Sequence, residues 1–327
     1  MAFLSVLIAL LIEQLKPLGR GSAVYRLRQS LADVAARNFD AGRPHHGVAA
    51  WFIAVLAPAL ITLAIYLVAL HYSLLLALAW NVAVLYFTLG FRQFSHYFTD
   101  IQDALNHNDN AAARSLLKQW KALDTVDMSA SDVTQQTIEH ALVSVQRYVL
   151  GVFFWFILPI GPAGAVLYRL SDYVAGKWSQ ADSEASPALR SFAQKAFDLL
   201  DWVPARLTAI GYAIVGNFED AIDVWRGYSQ LWANHNTGVM LASAAGAVGI
   251  RLGATAAAAP AAPTEPGWTQ ESERGEPGLG GPGGQTAAMP GAIPQPAHLR
   301  NVVGLVWRSV LLWMLLLAML SVVSWVS

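Results

Sequence analysis

Residues 47–70 read GVAAWFIAVLAPALITLAIYLVAL, twenty-four positions without one Asp, Glu, Lys or Arg. A helix rises about 1.5 Å per residue and the hydrocarbon core of a bilayer is about 30 Å thick, so about 20 apolar residues cross it. This stretch is long enough. Only His71 and Tyr72 separate it from a second uncharged stretch, 73–91, and so brief a step predicts an antiparallel hairpin. The composition agrees: 55% of the 327 residues are hydrophobic, 13% are charged and the mean hydropathy is +0.41, whereas soluble domains carry about 25% charged residues. The twelve Trp residues suit membrane interfaces as well as cores. A net charge of -1 argues against a broad basic surface for nucleic acid. The lack of Cys excludes disulfides, thiolate zinc sites, iron–sulfur clusters and a thiol nucleophile.

Two more apolar stretches lie at 148–168 and 310–326. The first is interrupted by Pro159-Ile160-Gly161-Pro162. Proline lacks a backbone donor and clashes with the preceding turn, so the interruption predicts two half-helices. Such a break survives at membrane depth where protein or a wet cavity surrounds it, and it reads either as a ligand site or as a kink between packed helices. The N-terminal run 2–12 has no basic residue ahead of it and no small-residue cleavage site, which predicts a short retained membrane segment ending at Glu13, Lys16 and Pro17. Lys and Arg collect in three stretches. Positive charge stays on the cytoplasmic side, which puts residues 16–43 and 92–147 inside, and the His71 turn and Ser327 outside. The third basic stretch, Arg169 to Arg308, obeys the same rule only if 148–168 re-enters or 207–216 makes an extra partial crossing; re-entry is the reading adopted.

Between the spans, Ile101, Leu105, Ala112, Leu116 and Trp120 fall at helical spacing, as do Leu189, Phe192, Ala196 and Leu200. These predict amphipathic cytoplasmic helices over 99–123 and 186–200, packed on the membrane domain or lying at its surface. Residues 254–298 are dominated by Ala, Pro and Gly and bury too little to offset ordering entropy, which predicts a disordered tether. The expected fold is an all-α polytopic membrane protein with four to six membrane segments. Residues 1–253 form the membrane domain, 254–300 the linker and 301–327 a C-terminal transmembrane helix.

No phosphate-loop, dinucleotide-fingerprint or His-Glu-x-x-His pattern occurs. Adjacent His45 and His46 would point about 100° apart on a helix, so they do not make a metal pair and read as an interfacial loop. Three segments are richer in polar and special residues than packing requires. The first, Phe91-Arg92-Gln93-Phe94-Ser95-His96-Tyr97, reads as an interface anchor. The second runs from Asp198 through Asp201-Trp202-Val203-Pro204-Ala205-Arg206-Leu207. Pro204 fits the first turn of a new helix and Asp201 its cap. Arg206 then heads an apolar run and needs a carboxylate, a phosphate or the interface. The third is Asn234-His235-Asn236-Thr237-Gly238 with the Ala- and Gly-rich 244–250 and Arg251-Leu252-Gly253, read either as backbone donors offered to an anion or as a close-packed helix.

These segments, in this order, resemble the CobD/CbiB family of membrane proteins, and in particular its AmpE-like branch. The resemblance covers about 91–253; its most specific element is Asp201-Trp202-Val203-Pro204-Ala205-Arg206-Leu207. It leaves two functions open. The biosynthetic branch makes adenosylcobinamide phosphate, joining an aminopropanol phosphate to a corrinoid carboxylate in an ATP-driven step. That branch implies a Glu-Asn pair and Asp-Gly ahead of the broken span, where this chain has Gln146-Arg147-Tyr148-Val149-Leu150-Gly151. The Gly-Arg-Asp element expected upstream is replaced by Asp127-Met128-Ser129-Ala130-Ser131. The AmpE-like branch, a signalling protein of cell-wall recycling and β-lactamase induction, tolerates these losses and is the function expected from sequence. A non-catalytic scaffold recruiting a cytoplasmic partner is a third possibility. On this reading the chain is a multi-pass protein of the bacterial inner membrane, not an enzyme, with no metal or cofactor; magnesium–ATP enters only with synthase activity, if Asp172, Asp198 and Asp201 replace the missing carboxylates. The ligand-binding candidates are those three with Arg206, Arg251 and Asn236, and the ligand is anionic or phosphorylated.

Overall fold

The computed structural model describes residues 2–15, 23–40, 44–121, 124–180, 183–253 and 289–326. Among them the chain is helical, and its only β pairing is an isolated bridge between Ile250 and Ala292. Three helices are long and apolar enough to cross a membrane: His46–Tyr72, Ala130–Ile157 and Pro296–Val323. Two shorter apolar helices, Ala2–Leu15 and Leu74–Thr88, accompany them. The all-α membrane fold expected from the sequence is therefore what the chain adopts.

α1 (Ala2–Leu15) packs against α5 (Leu74–Thr88). α2 (Ala23–Phe39) leads through a short gap into α3 (Pro44–Trp51), which continues by a π-turn at Phe52–Leu56 into α4 (Ala57–Tyr72). His45 and His46 thus lie in a helix rather than a loop, because Pro44 occupies a first-turn position where its missing N–H costs nothing. Ser73 is extended and its Oγ accepts from the Leu75 N–H at 3.2 Å, so one residue both closes α4 and starts α5.

The amphipathic region expected as one helix is two, α6 (Phe91–Asn106) and α7 (Asn110–Lys121). The polar run between them turns at Asn108, which holds φ +59°, and Asp109 accepts from the Ala112 N–H at 2.9 Å to cap α7. Asn tolerates the left-handed region better than most residues. The side chains of 91–94 lie outside the described residues.

α8 (Ala130–Val145) opens with a capping box between Ser129 and Asp132 and runs through a π-turn at Gln146–Leu150 into α9 (Gly151–Ile157). The chain then turns over 158–161, where Gly161 has φ +53°, and α10 (Pro162–Trp178) returns against α9. Gly164 lets the two limbs touch, since a Cβ there would strike the Trp155 carbonyl. The Pro159–Pro162 break is therefore the tip of a helical hairpin, and it sits beside Tyr66 of α4.

α11 (Pro187–Val215) is capped by Ser186 and continues unbroken through Pro204. The expectation that Asp201 caps a new helix at Pro204 is wrong: both residues are interior. Proline removes the N–H that would reach the Leu200 carbonyl, and the Trp155 indole donates to that carbonyl instead, at 3.1 Å. α12 (Phe218–Tyr228) and α13 (His235–Val248) pack tightly together; Gly246 meets the Asp220 carbonyl where a Cβ would go. The small-residue run of α13 is a packing surface, and Ser243 Oγ donates to the Ala209 carbonyl of α11 at 2.7 Å.

Residues 254–288 of the expected tether lie outside the described residues. Its last part is held: Met289 is buried, and the Arg251 and Ala292 N–H groups bond across to Ala292 and Gly249 at 2.9 Å each. α14 (Pro296–Val326) begins earlier than expected from hydropathy. Arg308 lies within it and donates to the Val215 carbonyl at 2.9 Å, serving the unpaired end of α11.

Candidate functional site

Two polar networks lie on α11 and its neighbours. The inner one is built where the α8–α9 helix crosses α10 and α11. Asp172 of α10 pairs with Arg169 at 2.5 Å and with Arg147 at 3.3 Å. Arg169 is itself buried; its Nε donates to the Thr88 carbonyl at 3.0 Å and its guanidinium lies 4.2 Å from the Tyr148 ring centre. The Arg147 guanidinium lies over Phe197 of α11 at 5.2 Å. Asp201, 4% exposed, accepts from Tyr168 Oη at 2.7 Å and from Gln146 Nε2 at 3.1 Å, and Gln146 Oε1 in turn accepts from Thr208. The π-turn at Gln146–Leu150 carries Gln146 and Arg147 into this network; such turns are frequent at functional positions.

The outer network joins α11 to the start of α13. Arg206 donates to Asn236 Oδ1 at 3.1 Å and to the Trp202 carbonyl at 3.0 Å, with its guanidinium 4.1 Å from the Trp202 ring centre. Asn236 Nδ2 donates to the Asp198 carbonyl at 2.7 Å. The Asp198 carboxylate accepts from Asn234 at 2.7 Å and from Gln194 at 2.9 Å. Trp202 is 50% exposed, so the Arg206–Trp202 stack faces outward from a fixed base. Arg251 does not join this group. It lies at the other end of α13, about 20 Å away by helix rise, with its Nε on the Gly291 carbonyl at 2.7 Å.

Asp172 and Asp201 share the inner network and Asp198 lies in the outer one, and each is already engaged: Asp172 by two arginines, Asp201 by a tyrosine and a glutamine, Asp198 by two side-chain amides. Among the described residues no three His, Asp or Glu side chains gather where they could hold a metal ion. These three carboxylates, each engaged by protein donors, do not converge on one point as the ligands of a magnesium ion must.

A family model described as CobD/Cbib protein matches residues 8–274. The chain belongs to the CobD/CbiB family. This member is 32% identical to a protein of Stutzerimonas stutzeri named "Cobalamin biosynthesis protein CobD", over 96% of both chains. It is also 32% identical to the protein of the same name from Chromobacterium violaceum, over 53% of this chain and 54% of that one. A "Protein AmpE" of Shigella flexneri is 25% identical over 37% of this chain and 44% of that protein. No solved structure matches. These findings overturn the AmpE-like assignment expected from sequence: the likeness along the full length is to a protein named for cobalamin biosynthesis, and that to AmpE is weaker and shorter. The missing acidic residues at 146–151 and 127–131 are substitutions at a few positions, whereas the 32% identity runs along 96% of the chain.

For this CobD/CbiB member, sequence reading found Asp198, Arg206 and Asn236, which the structure unites, and it found Asp172 and Asp201, which the structure separates from them. It passed over Arg147, Tyr168 and Arg169 as ligand candidates. The signal was present, because a cation at each end of an apolar stretch must find a partner, and Asp172 lies three residues from one of them.

Proposed function

We propose that this chain acts in cobalamin biosynthesis, at the CobD/CbiB-type step that joins the amine of an aminopropanol phosphate to a corrinoid carboxylate as an amide, with ATP as the co-substrate whose cleavage carries off the displaced carboxylate oxygen as phosphate. It works as a multi-pass protein of the bacterial inner membrane, with its basic segments on the cytoplasmic side. The observation that carries the reading is the end-to-end likeness to a cobalamin biosynthesis protein, at 32% identity over 96% of each chain.

The outer network supplies the phosphate contact. A guanidinium presents a planar fork that matches phosphate oxygens, and it binds best where its own geometry is fixed. Arg206 is fixed by the Trp202 ring beneath it and by Asn236 at its side. The Asp198 backbone carbonyl holds Asn236, so removing the Asn236 amide loosens the cation, and the Asp198 carboxylate holds Asn234 at the start of the same helix. The inner network holds the platform on which these residues stand.

The test is complementation of a strain lacking the corrinoid synthase, fed the corrinoid precursor. Growth is expected with the wild-type chain, and Arg206→Ala is expected to abolish it while membrane insertion is unchanged. Absence of growth from a properly inserted wild-type protein would overturn the reading.

A further inference from the structure

A second basic site, independent of the outer network, opens on the other side of α10. A cleft of about 200 Å³ lies between α2, the α4–α5 hairpin and α10. Its walls are apolar, among them Leu27, Leu31, Trp80, Val84, Phe87 and Val166, and its charged lining consists of Arg28 and Arg169. The cleft follows α5 from Thr88, whose carbonyl Arg169 holds, to Trp80, whose indole donates to the Thr62 carbonyl at 3.3 Å. That is about 12 Å of helix. One wall is the span His46–Tyr72, so the apolar channel runs along a helix built to face hydrocarbon.

The cations at the head of this channel are under-neutralised. Arg28 lies 5.7 Å from the Tyr173 ring centre and 6.0 Å from that of Tyr25, and its buried Nε has no hydrogen-bond partner. Burial, together with the neighbouring Arg169 cation, lowers its pKa from the ordinary guanidinium value, and no carboxylate acts on it in the other direction. Asp172 is shared between Arg169 and Arg147. Among the described residues Asp172 thus serves two guanidinium groups, Arg147 has Asp201 near it as well, and Arg28 has no carboxylate of its own, while nearby Lys177 and Asp33 pair with each other at 3.8 Å. A buried donor without an acceptor is costly, and an anion with an apolar body would both satisfy it and fill the channel.

We infer that this cleft holds one anionic phospholipid of the surrounding bilayer, its phosphate between Arg28 and Arg169 and one acyl chain along the channel toward Trp80. Such a lipid ties the amphipathic α2, with exposed Leu27 and Val34, to the α4–α5 hairpin. It would act as a structural ligand, separate from the phosphate contact at Arg206.

The measurement is native mass spectrometry of the full chain released from nanodiscs containing equal phosphatidylglycerol and phosphatidylcholine. The wild type is expected to retain one phosphatidylglycerol in preference to phosphatidylcholine. Arg28→Gln is expected to lower that retention about fivefold, the equivalent of about 1 kcal/mol for one cation at a membrane surface. Val24 also lines the cleft, and Val24→Trp, which fills the channel and keeps both cations, is expected to lower retention as well and decides the matter if Arg28→Gln fails to fold. Equal retention of the two lipids by the wild type, or wild-type retention by folded Arg28→Gln, would overturn the inference. So would displacement of the lipid by millimolar inorganic phosphate with no effect of Val24→Trp, since that describes a site for free phosphate.

Discussion

At the residue scale, Asp201 and Arg206 stand five positions apart on α11 and face opposite environments. Asp201 is enclosed, and its carboxylate satisfies two buried donors, Tyr168 Oη and Gln146 Nε2. Replacing it by Ala strands both, at about 1–3 kcal/mol for each buried polar group left unsatisfied. Asp201→Ala is therefore expected to lower the unfolding midpoint in detergent clearly, and adding Tyr168→Phe is expected to return part of the loss, because one stranded hydroxyl disappears. A loss in the double variant equal to the sum of the two single losses would show that the Asp201–Tyr168 bond contributes nothing. Arg206 touches the outside through Trp202, but on its inner side it donates to Oδ1 of Asn236, which is buried, so its removal leaves that acceptor without a donor. Arg206→Ala is accordingly expected to cost about 1–3 kcal/mol, for one buried acceptor left unsatisfied, while abolishing complementation from a protein that is still folded and inserted. The Asp-Trp-Val-Pro-Ala-Arg-Leu segment was conspicuous in the sequence, but the sequence could not divide it. Which of its residues face inward depends on Asn236 and Tyr168, distant along the chain and adjacent in the fold.

At the element scale, α11 shows how a helix accommodates an interior proline. The Leu200 carbonyl freed by Pro204 is taken by the Trp155 indole from the tip of the α9–α10 hairpin. The two defects, a missing N–H and a tryptophan needing an acceptor, answer each other. Trp155→Phe is expected to destabilise the protein by about 1–3 kcal/mol, and less in a Pro204→Ala background, where the backbone N–H is restored. Equal costs in both backgrounds, read by chemical unfolding, would sink the coupling. The hairpin itself depends on close approach at Gly164. Gly164→Val is expected to separate its limbs and to cost about 1–3 kcal/mol or more through overpacking. Sequence periodicity located these helices but placed a helix start at Pro204, since a proline read alone looks like a first-turn residue. It also ran α6 and α7 together, since the turn at Asn108 is set by one left-handed residue whose backbone state no periodicity reveals.

For the whole molecule, the ion pairs across the hairpin fix its sidedness. Arg147 and Asp172 lie on opposite limbs and touch, so α8 enters and α10 leaves on the same side of the turn. Cysteine labels placed at Ser129 and Gln180 in this cysteine-free chain are expected to react from the same, cytoplasmic side, and one at Ser73 from the other; labelling of Ser129 and Gln180 from opposite sides would exclude the hairpin. The sequence by itself determined that the chain is helical and membrane-embedded, because uncharged runs of twenty or more residues and a 13% charged fraction are intelligible only with lipid as solvent. It also carried the family, in the Asp201 to Leu207 segment and the Asn236-Thr237-Gly238 element. What only the tertiary structure decided is which charges meet. Arg147 finds Asp172 across a turn, Arg206 finds Asn236 across thirty positions, and Arg28 lines one cleft with Arg169 with no carboxylate of its own among the described residues. Those pairings follow from where helices cross, and crossing geometry is set by small residues and side-chain shape that no local pattern in the sequence expresses.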